Sequence, residues 1–132
     1  QKGNTVEFDG KIYTPDDVLG ESRQGLKMVY ATDTRPLEEL VTCGSHADLY
    51  IGEGMYGDPE KIEKANLNKH STMQETAILA KKMMVKELWF THYSPSIKDP
   101  LEYETVIRQI FPQAIIPADG QKKVLRFVDE GE

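Results

Sequence analysis

Apolar and polar positions alternate in two short stretches near the start of this chain. Thr5–Tyr13 contains both stretches, joined by Asp9-Gly10, a dipeptide that suits a type I′ turn because both central residues need positive φ. This pattern predicts a β-hairpin. Thr14-Pro15 is typical of a helix cap with proline in the first turn, but Gly20 limits this helix to a single turn.

Compact apolar runs recur after the hairpin and predict buried strands. They are Leu26–Ala31, Asp48–Ile51, Glu87–Thr91 and Ala114–Ile116. Segments with helical spacing lie between them, at residues 36–43, 58–68, 71–83 and 99–110. Asp119-Gly120 indicates a turn that leads into a last strand, Lys122–Val128. Strands separated by helices predict an α/β layer whose strands are largely parallel or mixed.

Caps support the predicted helix starts. Asp58-Pro59 and Asp99-Pro100 each combine a capping aspartate with proline at the first helical position. For the helix that ends near Met83, Ser71 and Thr72 each begin a capping box, with Gln74 or Glu75 as its second member. Either residue can therefore start this helix.

Composition and charge restrict the class of protein. The 132 residues suffice for one domain or part of a larger one, and a chain that begins with Gln directly before a strand pattern is expected to be a fragment. No apolar run approaches the roughly 20 residues of a membrane span, and no secretory signal pattern is visible. The single cysteine, Cys43, has no partner for an internal disulfide. We therefore expect a cytoplasmic protein. A net charge of -6 disfavours binding of phosphates by bulk charge.

Polar residues with catalytic or metal-binding chemistry fall at predicted strand ends or in the loops beyond them. They are Asp33, Glu53, His70 and His92. Ligands bind beyond the carboxyl ends of strands in α/β sheets, so residues from successive loops are expected to converge there. The third histidine, His46, is expected to be exposed to solvent.

Each of these residues also has a plain structural alternative. Asp33 suits a cation or the cap of a helix that begins at Pro36, and His92 suits a metal or a backbone carbonyl in the core. His70 is a proton donor or a surface histidine. Glu53, in a glycine-rich loop, orients a histidine or is a solvated acid.

An ordered set of motifs connects these residues to a known family. The motifs are Thr32-Asp-Thr-Arg-Pro36, Asp48-Leu-Tyr-Ile-Gly-Glu53, His70-Ser-Thr72 and Thr91-His-Tyr-Ser94. In this order and spacing they resemble ribonuclease Z, the tRNA 3′-processing endonuclease, whose fold is that of the metallo-β-lactamases. The resemblance implies that residues 1–132 form the C-terminal half of this αββα fold, with a mixed sheet and helices on one face.

The resemblance also implies roles for the four residues. Asp33 would bridge two zinc ions, and His92 would ligate one of them. His70, supported by Glu53, would donate a proton to the departing 3′ oxygen of the cleaved precursor tRNA. The same similarity suggests a homodimer and leads us to expect that an exposed apolar sheet face associates with a partner.

Several parts of the family pattern are absent from this sequence. The motif His-x-His-x-Asp-His, which supplies most metal ligands, is missing, as is a further histidine ligand, and Gly52-Glu-Gly-Met55 stands where the family often has His-Glu-Ala-Thr. We therefore expect the chain alone to be inactive, to bind metal weakly, and to need the missing N-terminal half, which also carries the family's basic tRNA-binding arm. The alternatives are another phosphodiesterase of this fold and a non-catalytic half-domain that acts as a binding module.

Overall fold

An antiparallel hairpin opens the described part of the chain, which comprises residues 3–20 and 24–127 in this computed structural model. Strand β1 (Val6–Phe8) pairs with β2 (Lys11–Tyr13). Asp9 and Gly10 have φ angles of 50° and 71°, as a type I′ turn requires. The predicted hairpin is therefore confirmed, and the single helical turn after it is a 3-10 turn at Pro15–Asp17.

A parallel sheet forms the centre of the rest of the structure. Its strands, in spatial order, are β3 (Met28–Ala31), β4 (Leu49–Glu53), β5 (Leu88–Thr91) and β6 (Ala114–Ile115). The helices are α1 (Glu38–Cys43), α2 (Ile62–Asn68), α3 (Met73–Met83) and α4 (Glu104–Ile110). Spatial order follows chain order, so right-handed crossovers place the helices that connect the strands on the same face of the sheet. The predicted α/β architecture is confirmed.

The helix starts follow the capping signals in the sequence. A 3-10 turn precedes α2 and another precedes α4, and Asp58 and Asp99 accept the hydrogen bonds that cap these turns. Thr72 rather than Ser71 caps α3, in a reciprocal capping box with Glu75.

The core lies between the helices and one face of the sheet. Leu88 and Phe90 of β5 pack against Met73 and Met83 of α3 and Ile107 of α4, and all five are at most 1% exposed. None of the helices in the described ranges is long and apolar enough to cross a membrane.

The opposite face of the sheet is only partly covered. Tyr30, Ile51 and Trp89 are neighbours in register on three strands. Tyr30 is 64% exposed, whereas Trp89 is 8% exposed and shares a groove with residues 117–121. An apolar face on this side of the sheet agrees with the expectation from the sequence.

The prediction of a strand at 122–128 is wrong for residues 122–127, and residue 128 lies outside the described part of the chain. Within the described ranges, residues 122–127 are not part of any strand. The Lys123 ammonium holds this segment by an ion pair of 2.6 Å with Glu87. The adjacent strand β6 has only two residues, so it offers almost no edge for a further strand.

Candidate functional site

The four candidate residues meet at the carboxyl edge of the parallel sheet. Asp33 follows β3 by two residues, Glu53 is the last residue of β4, His92 directly follows β5, and His70 lies just before the Thr72 cap of α3. One possible ligand atom from each of the four lies within 4.8 Å of the others. The predicted convergence of these side chains is thus confirmed, because parallel strands end at the same edge.

Sharp backbone turns follow two of the strands. Asp33 has φ of 60° and His92 has φ of 57°, which places both in the left-handed region. Aspartate and histidine are among the few residues other than glycine that are enriched there. Each turn occurs where a strand ends, so the side chain after it no longer follows the alternation of the strand.

Glu53 is the central acceptor of the cluster. Its Oε1 atom lies 2.6 Å from His70 Nδ1 and 2.9 Å from His92 Nδ1, and its Oε2 atom accepts the Ser71 N–H at 2.5 Å. Glu53 is 1% exposed and lies in β4 opposite Thr91, so its placement in a glycine-rich loop and the alternative of a solvated acid are wrong. The carboxylate orients two histidines rather than one.

These contacts determine which ring nitrogens remain free for chemistry. A carboxylate can only accept hydrogen bonds, so the Nδ1 atoms of His70 and His92 both donate to Glu53. Burial of a carboxylate is costly unless donors satisfy it, and here three N–H groups do so. The Nε2 atom of each ring is left to bind a metal or to transfer a proton. The ring centroids are 5.5 Å apart.

Asp33 presents an accessible carboxylate. Its side chain is 71% exposed, and Oδ1 lies 3.4 Å from His70 Nδ1. Helix α1 begins at Glu38, with Leu37 at its N-cap and no side-chain cap. The alternative that Asp33 caps this helix is therefore wrong, and its oxygens remain available for a cation.

Arg35 and Glu75 also contribute to the site, although they were not predicted as site residues from the sequence. The Arg35 guanidinium forms a forked ion pair with Glu75, with Nη1 to Oε2 at 2.8 Å, and Nη1 also donates to the His70 carbonyl at 2.5 Å. Burial raises the pKa of Glu75, but hydrogen bonds from Arg35 and Thr72 outweigh this effect and lower it. Forty residues separate Arg35 from Glu75, so no local pattern indicates the pair.

Tyr56 forms one wall beside His70. Its ring meets the imidazole edge-on, with centroids 6.3 Å apart and an interplanar angle of 80°. Asn68 donates to the Tyr56 hydroxyl at 3.1 Å, and the Lys64 ammonium lies 5.6 Å from the ring centroid. Tyr56 is 6% exposed, so this side of His70 is shielded from solvent.

Gly52 has no room for a side chain. A Cβ at this position would lie 2.5 Å from Thr76 Cγ2 and 2.8 Å from Tyr50 Cζ. Burial and the nearby Glu53 charge raise the pKa of Tyr50 to about 12, so its phenol stays neutral. Gly52 stands where the resemblance to ribonuclease Z leads us to expect a histidine. The Tyr50 ring and the Thr76 methyl group fill the space beside it.

The donor set fits a zinc-type cation. Imidazole nitrogen and carboxylate oxygen are both ordinary zinc ligands, and a carboxylate commonly binds the other nitrogen of an imidazole that ligates the metal. His92 Nε2 and the Asp33 carboxylate are free to act as ligands, whereas the Glu53 oxygens are already committed to three N–H groups. Two ligands are fewer than the three or four that a zinc site needs.

Comparisons with known proteins connect this arrangement to one group of enzymes. The chain is similar to Ribonuclease Z of Agathobacter rectalis, with 49% identity over 130 residues that cover 98% of this chain and 43% of that protein. Ribonuclease Z of Lachnoclostridium phytofermentans is 47% identical over 127 residues, which cover 96% and 42%. The chain thus spans about two-fifths of the length of the curated relatives it matches. No family model matches it.

Solved structures give the same indication. A long form RNase Z from yeast superposes with a TM-score of 0.51 and 31% identity, over 55% of this chain and 10% of that chain. The short form of human tRNase Z superposes with a TM-score of 0.50 and 28% sequence identity, over 63% of this chain and 30% of that chain. The metallo-β-lactamase fold protein YhfI from Bacillus subtilis superposes with a TM-score of 0.58 and 20% sequence identity, over 66% of this chain and 35% of that chain. This similarity supports the fold alone. The predicted relation to ribonuclease Z and to the metallo-β-lactamase fold is confirmed.

Proposed function

We propose that this chain, a homologue of part of ribonuclease Z, forms the C-terminal portion of a zinc-dependent endoribonuclease that cleaves precursor tRNA on its 3′ side. The observation that carries this proposal is the convergence of Asp33, Glu53, His70 and His92 within 4.8 Å. Two imidazoles that share one buried carboxylate, beside an accessible second carboxylate, suit metal binding together with proton transfer.

His70 is the proton donor in this proposal. In hydrolysis, a water oxygen bonds to phosphorus, the bond from phosphorus to the 3′ oxygen breaks, and that oxygen takes a proton. Glu53 accepts the Nδ1–H of His70 and fixes the orientation of the ring, so Nε2–H is the group that donates this proton. Tyr56 limits the access of water to one side of the ring.

Asp33 and His92 are the residues of this chain that would hold metal. A pair of bound zinc ions would activate water and stabilise charge on the phosphoryl oxygens. Asp33 suits the bridge between two ions because a carboxylate has two oxygens, and Glu53 would fix the orientation of His92. Since the motif His-x-His-x-Asp-His, which by the resemblance supplies most metal ligands, is not in this sequence, we infer that the chain alone binds zinc weakly and does not cleave RNA.

A chimera tests the proposal. The matched segment of the Agathobacter rectalis relative is replaced by this chain, and cleavage of a precursor tRNA is measured together with bound zinc. We expect cleavage on the 3′ side by the chimera and none by the isolated chain. His70→Ala should abolish cleavage while bound zinc persists, and His92→Ala should lower both.

The matched control is His46→Ala, because His46 is exposed and lies outside the cluster. It should leave cleavage and zinc content unchanged. A chimera that hydrolyses bis(p-nitrophenyl) phosphate but no tRNA would favour another phosphodiesterase. A folded chimera that binds zinc and hydrolyses neither substrate would overturn the enzymatic proposal, and a folded chimera without zinc would favour a non-catalytic module.

A further inference from the structure

We propose that Arg35 is a positioning residue, which fixes the His70 imidazole on Glu53 by holding the peptide group that follows His70. The catalytic meaning of this inference rests on the function proposed above, but the positioning itself is a property of this chain and is tested without catalysis.

The peptide group between His70 and Ser71 is held at both ends. Its carbonyl, from His70, accepts a hydrogen bond from Arg35 Nη1 at 2.5 Å. Its N–H, from Ser71, donates to Glu53 Oε2 at 2.5 Å. Since a peptide group is planar, two contacts at its opposite ends fix its orientation. These two contacts restrict rotation about the Cα–C bond of His70, which is its ψ angle, and so limit how far the residue can turn relative to Glu53.

Glu53 contributes to both sides of this arrangement. The same carboxylate that holds the Ser71 N–H binds His70 Nδ1 through its other oxygen, at 2.6 Å. The imidazole and the backbone of His70 are thus oriented against one rigid group at the end of β4. Arg35 supplies the contact on the opposite side of the peptide, so without it only the Ser71 N–H contact with Glu53 holds this peptide group directly.

Arg35 itself is oriented by the start of α3. Its guanidinium meets both carboxylate oxygens of Glu75, and the two side chains are 26% and 21% exposed. Glu75 is also the second member of the capping box, since its Oε2 accepts the Thr72 N–H at 2.9 Å. Arg35 therefore joins the loop after β3 to the cap of α3, with the His70 peptide between them.

A lysine cannot reproduce this set of contacts. Arginine presents several N–H donors in one plane, which match a forked carboxylate and a neighbouring carbonyl at the same time. An ammonium group is a compact point charge on a flexible stem. Arg35→Lys keeps the charge beside Glu75 and should release the His70 carbonyl.

Arg108 provides a matched control elsewhere in the fold. Its Nε atom donates to the Ala114 carbonyl at 3.2 Å, and its Nη2 atom pairs with Glu104 at 2.9 Å. Arg108→Lys therefore also removes an arginine that binds one backbone carbonyl and one glutamate, but it does so in α4, away from His70.

The experiment measures the imidazole proton and nitrogen resonances of the three histidines by NMR in both variants. We expect Arg35→Lys to shift the His70 Nδ1–H signal and to speed its exchange with water about tenfold, with the His46 signals unchanged. Arg108→Lys should leave the His70 signals as they are. Unaltered His70 signals in a folded Arg35→Lys variant would overturn the proposal and leave Arg35 with a merely structural role.

Glu75→Gln serves if the lysine variant does not fold. This variant keeps Arg35 but weakens the ion pair that orients it. It should therefore shift the His70 signals in the same direction by a smaller amount. Unchanged signals would equally refute the proposal. In the chimera described above, Arg35→Lys should lower kcat about tenfold with little change in KM. A chimera that cleaves no RNA would contradict the proposed function, whereas the NMR result decides the positioning role independently.

Discussion

Glu53 Oε1 lies 2.6 Å from His70 Nδ1, and this contact joins the end of β4 to the segment that begins α3. The same oxygen lies 2.9 Å from His92 Nδ1, at the end of β5. One buried carboxylate therefore orients both imidazoles of the cluster. A change at Glu53 is expected to affect both rings at once.

Glu53→Gln should destabilise the protein. The amide keeps one acceptor oxygen and places an NH2 group against N–H donors, so either the Ser71 N–H loses its acceptor or both imidazoles must take the other tautomer. We expect the free energy of unfolding to fall by about 1–3 kcal/mol, measured by urea denaturation. Glu63→Gln changes an exposed acid on α2 and is the control. Equal stability of the two variants would contradict the role of Glu53 as a satisfied buried acceptor.

The Glu75 carboxylate should contribute to the pH dependence of stability. Hydrogen bonds from Arg35 and Thr72 outweigh burial and lower its pKa below 4.5 in the folded state. A carboxyl whose folded pKa is lowered adds stability above its unfolded pKa and loses it as pH falls through the folded value. Stability should therefore decline below about pH 4.5.

Urea denaturation between pH 2.5 and 7 checks this expectation, with Glu75→Gln beside the unaltered chain. The variant has no carboxyl to titrate, so its deficit in unfolding free energy should be largest near neutral pH and should shrink as the pH falls. A deficit that stays constant across this range would argue against the lowered pKa of Glu75.

Gly52→Ala should be destabilising because of crowding rather than backbone strain. The new Cβ would lie 2.5 Å from Thr76 Cγ2, and we expect a loss of about 1–3 kcal/mol in unfolding free energy. Thr76→Ser removes this methyl group and keeps the hydroxyl that donates to the Glu53 carbonyl at 2.7 Å. The double variant should recover part of the loss, and additive losses would rule out this contact as the cause.

Lys123→Ala should release the segment that directly follows residues 117–121, which share a groove with Trp89. The ion pair of Lys123 with Glu87 fixes this segment, and the Trp89 indole also donates to Glu87. Trp89 is the single tryptophan of the chain and is 8% exposed, so its fluorescence emission should shift to longer wavelength in the variant. Lys122→Ala, a change at the adjacent exposed lysine, should leave the emission unchanged. An equal shift in both variants would show that the ion pair does not hold the segment.

Local sequence patterns determined most of the secondary structure. The Asp9-Gly10 turn, the alternation of apolar runs with capped helices, and the capping box of Thr72 each depend on neighbours within a few residues. Such interactions are visible in the order of residues. The predicted strand at 122–128 failed over its described part because a strand also needs a partner edge, which β6 is too short to provide.

The sequence also determined which residues gather at the site, because the carboxyl ends of parallel strands share one edge. Only the tertiary structure decided how these residues contact one another. Glu53 proved to be a buried acceptor for two histidines rather than a loop acid, and Arg35 proved to join Glu75 to the His70 backbone. These contacts bridge segments that lie 17–40 residues apart. They arise from side-chain packing between segments that are distant in sequence, so no local periodicity or capping rule contains them.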